Sequence, residues 1–156
     1  MEELSSGCIA EELRALYYRE HFMFLDMAVA LEEYNTLTHQ IIGCAMRVQR
    51  TLSSGFPEIV YQRALLVELS RQGIQAQREV ELPVYYEGQR VGIRRADFVV
   101  ENRVLVELKA VGTISPAHQA QVLGYLEAFR IPVGLLLNFG APRLEFKRLI
   151  KSFPTL

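Results

Sequence analysis

A run of seven residues, Val133-Gly134-Leu135-Leu136-Leu137-Asn138-Phe139, does most to limit what this chain can become. It has the length of a strand and almost no polar face, which suits a strand buried on both sides. Such a strand needs a sheet covered above and below. Candidate covering helices precede it. Helical spacing recurs at Ile41, Ile42, Ala45, Met46, Val48 and Leu52, with Thr36 or Thr38 as the expected N-cap. It recurs at Ile59, Val60, Ala64, Leu65, Val67 and Leu69, opened by Pro57 and closed at Gly73. A third helix opens with Ser115 as cap and Pro116 in its first turn, and runs to about Phe129. Between the second and third helices the vocabulary is that of strands: Val80 to Tyr86, a turn at Glu87-Gly88-Gln89-Arg90, Val91 into Val100, and Val104 to Ala110. Pro83 donates no hydrogen bond, so its strand belongs at an edge. Leu144 to Ile150 reads as a last strand, with a short helix as the alternative. The expected class is α/β, in the order helix, helix, three strands, helix, strand.

The chain has 156 residues, room for one domain with a substantial core. Half of them are apolar and 22% charged, which excludes disordered and low-complexity classes. Cys8 and Cys44 are too few for a four-cysteine zinc site or a disulfide framework. No apolar run reaches the roughly 18 residues of a membrane span, and Met1-Glu2-Glu3 lacks the basic start of a signal peptide, so a cytoplasmic protein is expected. The net charge of −1 hides an asymmetry: residues 1–35 carry −6 and residues 36–156 carry +5. The body can therefore meet a polyanion such as nucleic acid, while residues 1–35 read as an acidic, apolar, helix-like extension. That extension is apolar on most faces and must pack on something. Docking on the body, self-association, and a reading frame that starts naturally at Met23 or Met27 all remain open.

The chemistry concentrates on the third strand. Val104, Val106, Leu108 and Ala110 share one face, and Leu105, Glu107 and Lys109 the other. In the preceding strand Arg95, Asp97 and Val99 alternate with Ala96, Phe98 and Val100. A two-residue turn at Glu101-Asn102 would set Asp97 opposite Val106 and send the two carboxylates to different faces. A three-residue turn, Glu101-Asn102-Arg103, pairs Val100 with Val104 and brings Asp97 against Glu107. Asn102, which tolerates the left-handed conformation, is the expected pivot. Two carboxylates and a strand carbonyl make the all-oxygen site that magnesium or manganese prefers, and a neighbouring lysine can position or deprotonate a water. Glu58 in the first turn of the second helix and Tyr61 three residues on share a face. His118, Gln121 and Tyr125 form a polar stripe on the third helix.

These residues together resemble a known family. Gly55-Phe56-Pro57-Glu58-Ile59-Val60-Tyr61 is similar to the signature of the GxxExxY proteins, and Arg95-Ala96-Asp97, Val106 to Ala110, Gln121 to Leu126 and Gly134 to Gly140 resemble its further blocks in order. The resemblance covers roughly Leu37 to Ile150, and places the chain in a compact branch of the PD-(D/E)XK nuclease superfamily. It implies a restriction-endonuclease-like core, a mixed central sheet flanked by helices, over residues 36–156. It also implies a magnesium- or manganese-dependent phosphodiester hydrolase acting on DNA or RNA. By the same resemblance Asp97, Glu107 and Glu58 are metal ligands, Lys109 the catalytic lysine, and Gln121 and Tyr125 contact nucleic acid or brace the site. Tyr61, Arg95 and His118 join that second group as polar neighbours. The competing expectation is a silent binding or assembly module that keeps the fold without turnover.

Overall fold

The computed structural model describes residues 30–152. Most of the acidic extension, with Met23 and Met27, lies outside the described residues, as do residues 153–156. Residues 30–52 are helical and form α1. The expected cap at Thr36 or Thr38 is overturned, because both lie inside the helix and Thr38 is buried. Nothing between Leu31 and Asn35 breaks a helix, so there is no terminus here to cap. From Leu37 onward α1 buries Leu37, Ile41, Cys44, Ala45 and Val48. Met46 is exposed, since it stands two positions from both Cys44 and Val48 and so off their stripe.

The second helix, α2, spans Glu58–Arg71 with Pro57 at its N-cap, and Gly73 takes a left-handed φ of 70° just beyond it. Its buried face is Tyr61, Gln62, Leu65 and Leu69. Ile59 and Val67, which belong to the same run of apolar spacing, are 39% and 57% exposed. The apolar face of this helix is completed by a tyrosine and a glutamine whose polar ends find partners, which a search for apolar residues passes over.

Five strands follow: β1 (Ala76–Tyr86), β2 (Gln89–Val100), β3 (Val104–Lys109), β4 (Val133–Asn138) and β5 (Glu145–Ile150), with α3 (Pro116–Phe129) between β3 and β4. They form one sheet in sequence order. Only β3 and β4, joined through α3, run parallel; the other neighbours are antiparallel, so the sheet is mixed. All six residues of β4 are buried, as its composition demands. In β3, Val104 to Leu108 are buried and only Lys109 is partly open. Among these strands β1 lies at an edge, where Pro83 costs no ladder bond. The β1–β2 turn is two residues, Glu87 and Gly88, both left-handed, rather than the expected four. Strand β1 is irregular: Glu79 has φ 55°, and the register slips between Val84 and Tyr85.

The β2–β3 turn is the three-residue Glu101-Asn102-Arg103, with Val100 paired to Val104. Asn102 is left-handed at φ 54°, and so is Glu101 at 50°. Glutamate rarely adopts this conformation, but Glu101 is held from both ends, donating its N–H to the Gln75 carbonyl at 2.9 Å and accepting the Gln75 N–H on Oε1 at 2.7 Å. Helix α3 opens on a reciprocal cap, in which Ser115 Oγ accepts the His118 N–H and His118 Nδ1 accepts the Ser115 N–H. Val122 and Leu126 then pack α3 on Ala96, Val99, Leu105 and Leu136 of the sheet. Among the described residues no helix is long and apolar enough to cross a membrane.

Candidate active site

The segment Gly55 to Tyr61 works as one device. Tyr61 is fully buried, its ring stacked on Phe139 at a centroid distance of 4.7 Å and met edge-on by Phe56. Its hydroxyl donates to the Ser53 carbonyl at 2.7 Å and accepts the Phe56 N–H at 3.2 Å. A tyrosine one turn into α2 thus pins the loop that enters the helix, and Glu58 stands on the first turn between them. With no exposed surface, Tyr61 braces this loop and offers nothing for a ligand to touch.

Facing that turn, β2 and β3 part. The ladder runs from Val100↔Val104 to Phe98↔Val106, and beyond it side chains take over the backbone's partners. Asp97 Oδ2 accepts the Leu108 N–H at 2.7 Å, and the Asp97 N–H points to Glu107 Oε2 at 3.4 Å. Asp97 Oδ1 accepts from Gln62 Nε2 of α2 at 2.9 Å. Lys109 Nζ stands 3.6 Å from Glu107 Oε1. Asp97, Glu107 and Lys109 thus converge where the two strands separate.

The charges there are not balanced. Glu107 is 5% exposed, and burial, reinforced by the neighbouring Asp97 and Glu58, pushes its carboxyl up to about 8 against the pull of Lys109. Burial also raises Asp97, opposed by its hydrogen bonds from Leu108 and Gln62 and by Lys109 and Arg95. Glu58 is raised by desolvation and by Asp97, and lowered by Lys109, so it shares the same electrostatic field from across the cleft. Among the described residues no three His, Cys, Asp or Glu side chains stand close enough together to hold a metal by themselves. Asp97 and Glu107 form the pair, and Glu58 acts on it from a distance.

The other candidates separate. Arg95 is exposed beside Asp97. His118 is engaged in the α3 cap. Gln121 and Tyr125 bond to each other, Gln121 Nε2 donating to the Tyr125 hydroxyl at 3.1 Å. Two residues here carried no role in the sequence. Gln62 lies one turn after Glu58, and the stripe Glu58, Gln62, Leu65, Leu69 was the available signal. It is 4% exposed, and its Oε1 has no partner. Asn138 lies beside Lys109 in the β3–β4 ladder. Its Oδ1 accepts the Val111 and Gly140 N–H groups at 3.0 Å, and its Nδ2 donates to the Val111 carbonyl at 2.9 Å and to Glu145 Oε2 at 2.8 Å. Gly140 completes this knot, since a Cβ there would lie 2.3 Å from the Val111 backbone N and O.

The sequence profile of the PD-(D/E)XK nuclease superfamily matches residues 35–149, and that stretch contains every one of these side chains. The chain belongs to the PD-(D/E)XK nuclease superfamily. Among solved structures, the chain is similar in fold to one titled "Crystal structure of SSO0001", at 20% identity and a TM-score of 0.51. That similarity covers 62% of this chain and 52% of the other, so the chain spans about half of its length. None of the curated proteins matches the chain. The mixed five-strand sheet with its flanking helices is consistent with the core of a PD-(D/E)XK superfamily domain.

Proposed function

We propose that this chain is a divalent-metal-dependent nuclease of the GxxExxY branch, hydrolysing phosphodiester bonds of DNA or RNA. One observation carries the reading: Asp97 and Glu107 meet at the end of the β2–β3 ladder with Lys109 3.6 Å from Glu107. Three acids face one lysine in this cleft, and two of them are largely buried, an arrangement that a hard divalent cation relieves. The donor set fits magnesium or manganese, which accept carboxylate and carbonyl oxygen and keep several waters. Asp97 and Glu107 would hold the ion, with Glu58 orienting water in its shell. When bound, such a cation supplies Lewis-acid stabilisation of a pentacovalent phosphate and lowers the pKa of attacking water. Gln62 fixes the rotamer of Asp97 through its 2.9 Å bond. The Lys109 ammonium, beside Glu107 on a strand end whose backbone carbonyl accepts the Phe139 N–H, neutralises phosphate charge and orients the nucleophile. The order of sequence blocks from Gly55 to Gly140 supports the GxxExxY assignment, and the +5 charge of residues 36–156 supports a polyanionic substrate.

The test combines calorimetry with cleavage. Wild type should bind magnesium or manganese, cut single- or double-stranded DNA or RNA, and lose cleavage in EDTA. Glu107→Ala should lose both metal binding and cleavage, whereas Lys109→Ala should lose cleavage alone. Metal binding unchanged in Glu107→Ala sinks the ligand assignment. Metal binding without cleavage of any nucleic acid leaves the silent-module reading standing.

A further inference from the structure

Three residues before Asp97 on β2, Arg94 occupies an unusual place. Its guanidinium carbon lies 5.7 Å from the centre of the Tyr125 ring on α3. It also passes directly over Gly124: a Cβ at that position would come within 2.6 Å of Arg94 Nη1. Beneath it, the Tyr125 hydroxyl is fixed by the hydrogen bond from Gln121. The guanidinium therefore lies over an aromatic ring, in a slot that exists because residue 124 has no side chain. Among the described residues it has no carboxylate partner within ion-pair distance, although it is half-buried. The next residue, Arg95, is exposed.

A half-buried cation that is immobilised but unpaired is arranged for an anion from outside the chain. Guanidinium is shaped for phosphate, to which it donates two parallel hydrogen bonds, and stacking on an aromatic leaves its edge donors free. We propose that Arg94, set over Tyr125 beside Gly124, is a phosphate-binding residue that grips the nucleic-acid backbone where β2 meets α3. Tyr125 and Gln121 then act as positioning residues for the guanidinium, not as contacts to the substrate. The inference rests on the nuclease reading for its substrate class, and stands on its own geometry for the site.

The experiment measures binding of fluorescent single- and double-stranded DNA and RNA oligonucleotides by the full chain, without metal, across a salt series. Arg94→Ala should weaken binding about tenfold and reduce the salt slope by about one, the signature of one lost phosphate contact. Arg94→Lys should recover only part, because the ammonium neither stacks as a plane nor binds as a fork. Gly124→Ala is the sharper variant. Its methyl displaces only the flexible end of the arginine, and alanine favours the helix, so affinity should fall with the melting temperature unchanged or raised. Wild-type affinity and salt slope in both Arg94→Ala and Gly124→Ala overturn the Arg94 site and leave the nuclease reading intact. Absence of oligonucleotide binding by wild type overturns both.

Discussion

Two polar clusters lie side by side at the end of the β3–β4 ladder, at similar depth, and they are built on opposite terms. Around Asn138, which is fully buried, both amide donors and the carbonyl oxygen are used, and all the partners but the Glu145 carboxylate are backbone groups that need satisfying. Around Glu107, equally removed from solvent, the carboxylate has a long bond of 3.4 Å and an ion pair of 3.6 Å, and two further acids repel it. The first cluster stabilises the fold, since leaving any of its groups unpaired costs about 1–3 kcal/mol. The second is held in place at a cost to the fold, and perturbed buried acids in a cleft mark a functional site. Proximity lets one hold the other: the Phe139 N–H donates to the Lys109 carbonyl at 2.8 Å, and Asn138 closes the loop immediately after it.

Removing the satisfied cluster should have the largest effect. Asn138→Ala strands several buried groups, and we expect a loss of about 4 kcal/mol or more in urea unfolding. Gly140→Ala should be comparably damaging, because its methyl meets backbone rather than a flexible side chain. A loss below about 1 kcal/mol in both would show that the knot does not carry the fold.

Relieving the unsatisfied cluster should do the reverse. The Glu107 carboxyl rises from 4.5 unfolded to about 8 folded, so the native state binds more protons between those values. Stability of the metal-free protein should accordingly be full below about pH 4.5, fall as the pH rises, and level off above about pH 8. Asp97 and Glu58 are raised too and add to the same slope. Glu107→Gln should flatten most of the fall and stabilise the metal-free protein above about pH 8, by at most about 5 kcal/mol at roughly 1.4 kcal/mol per pKa unit. A pH profile identical to wild type would contradict the arrangement drawn above.

Smaller effects separate positioning from folding. Gln62→Leu removes the donor to Asp97 together with a buried orphan oxygen, so metal affinity should drop about tenfold while stability changes little. Calorimetry with magnesium, read beside a thermal melt, distinguishes that from simple unfolding. Tyr61→Phe keeps the stack on Phe139 and loses only the hydroxyl's two bonds to the entering loop, a cost of about 1 kcal/mol in the melt.

The residues that announced themselves in the sequence did so through strong local signals. Ser115 and Pro116 mark the start of α3 to the residue, and the unbroken apolar run marks β4. The pairing of Val100 with Val104 across a three-residue turn followed from turn length and parity alone, because strand pairing has a period of two, while the ladder ends before Asp97 reaches Glu107. What stayed illegible depends on a third dimension. Gln62 and Asn138 look like ordinary polar residues until the chain folds back on them, and Arg94 looks no different from Arg95. The buried face of α2 is hidden for the same reason: Ile59 and Val67 are apolar but point outward, whereas Tyr61 and Gln62 meet their partners only in the assembled structure. Periodicity reports where a helix is apolar, and tertiary hydrogen bonding decides which polar residues join the core.

The broken course of β1 has a consequence for how copies of this protein meet. A long edge strand is a template on which a second chain can add its own, and this one carries Tyr85 and Tyr86 at 62% and 70% exposure beside Val91 and Ile93 on β2. Yet its outer row of backbone groups is interrupted at Glu79 by a left-handed residue, at Pro83 by a missing N–H, and at Val84–Tyr85 by a slip in register. No stretch of more than about three residues is left straight and fully bonding. The hairpin can therefore display aromatic and apolar side chains without inviting the growth of intermolecular sheet, and Pro83→Val, by restoring one donor, would make aggregation from this edge easier.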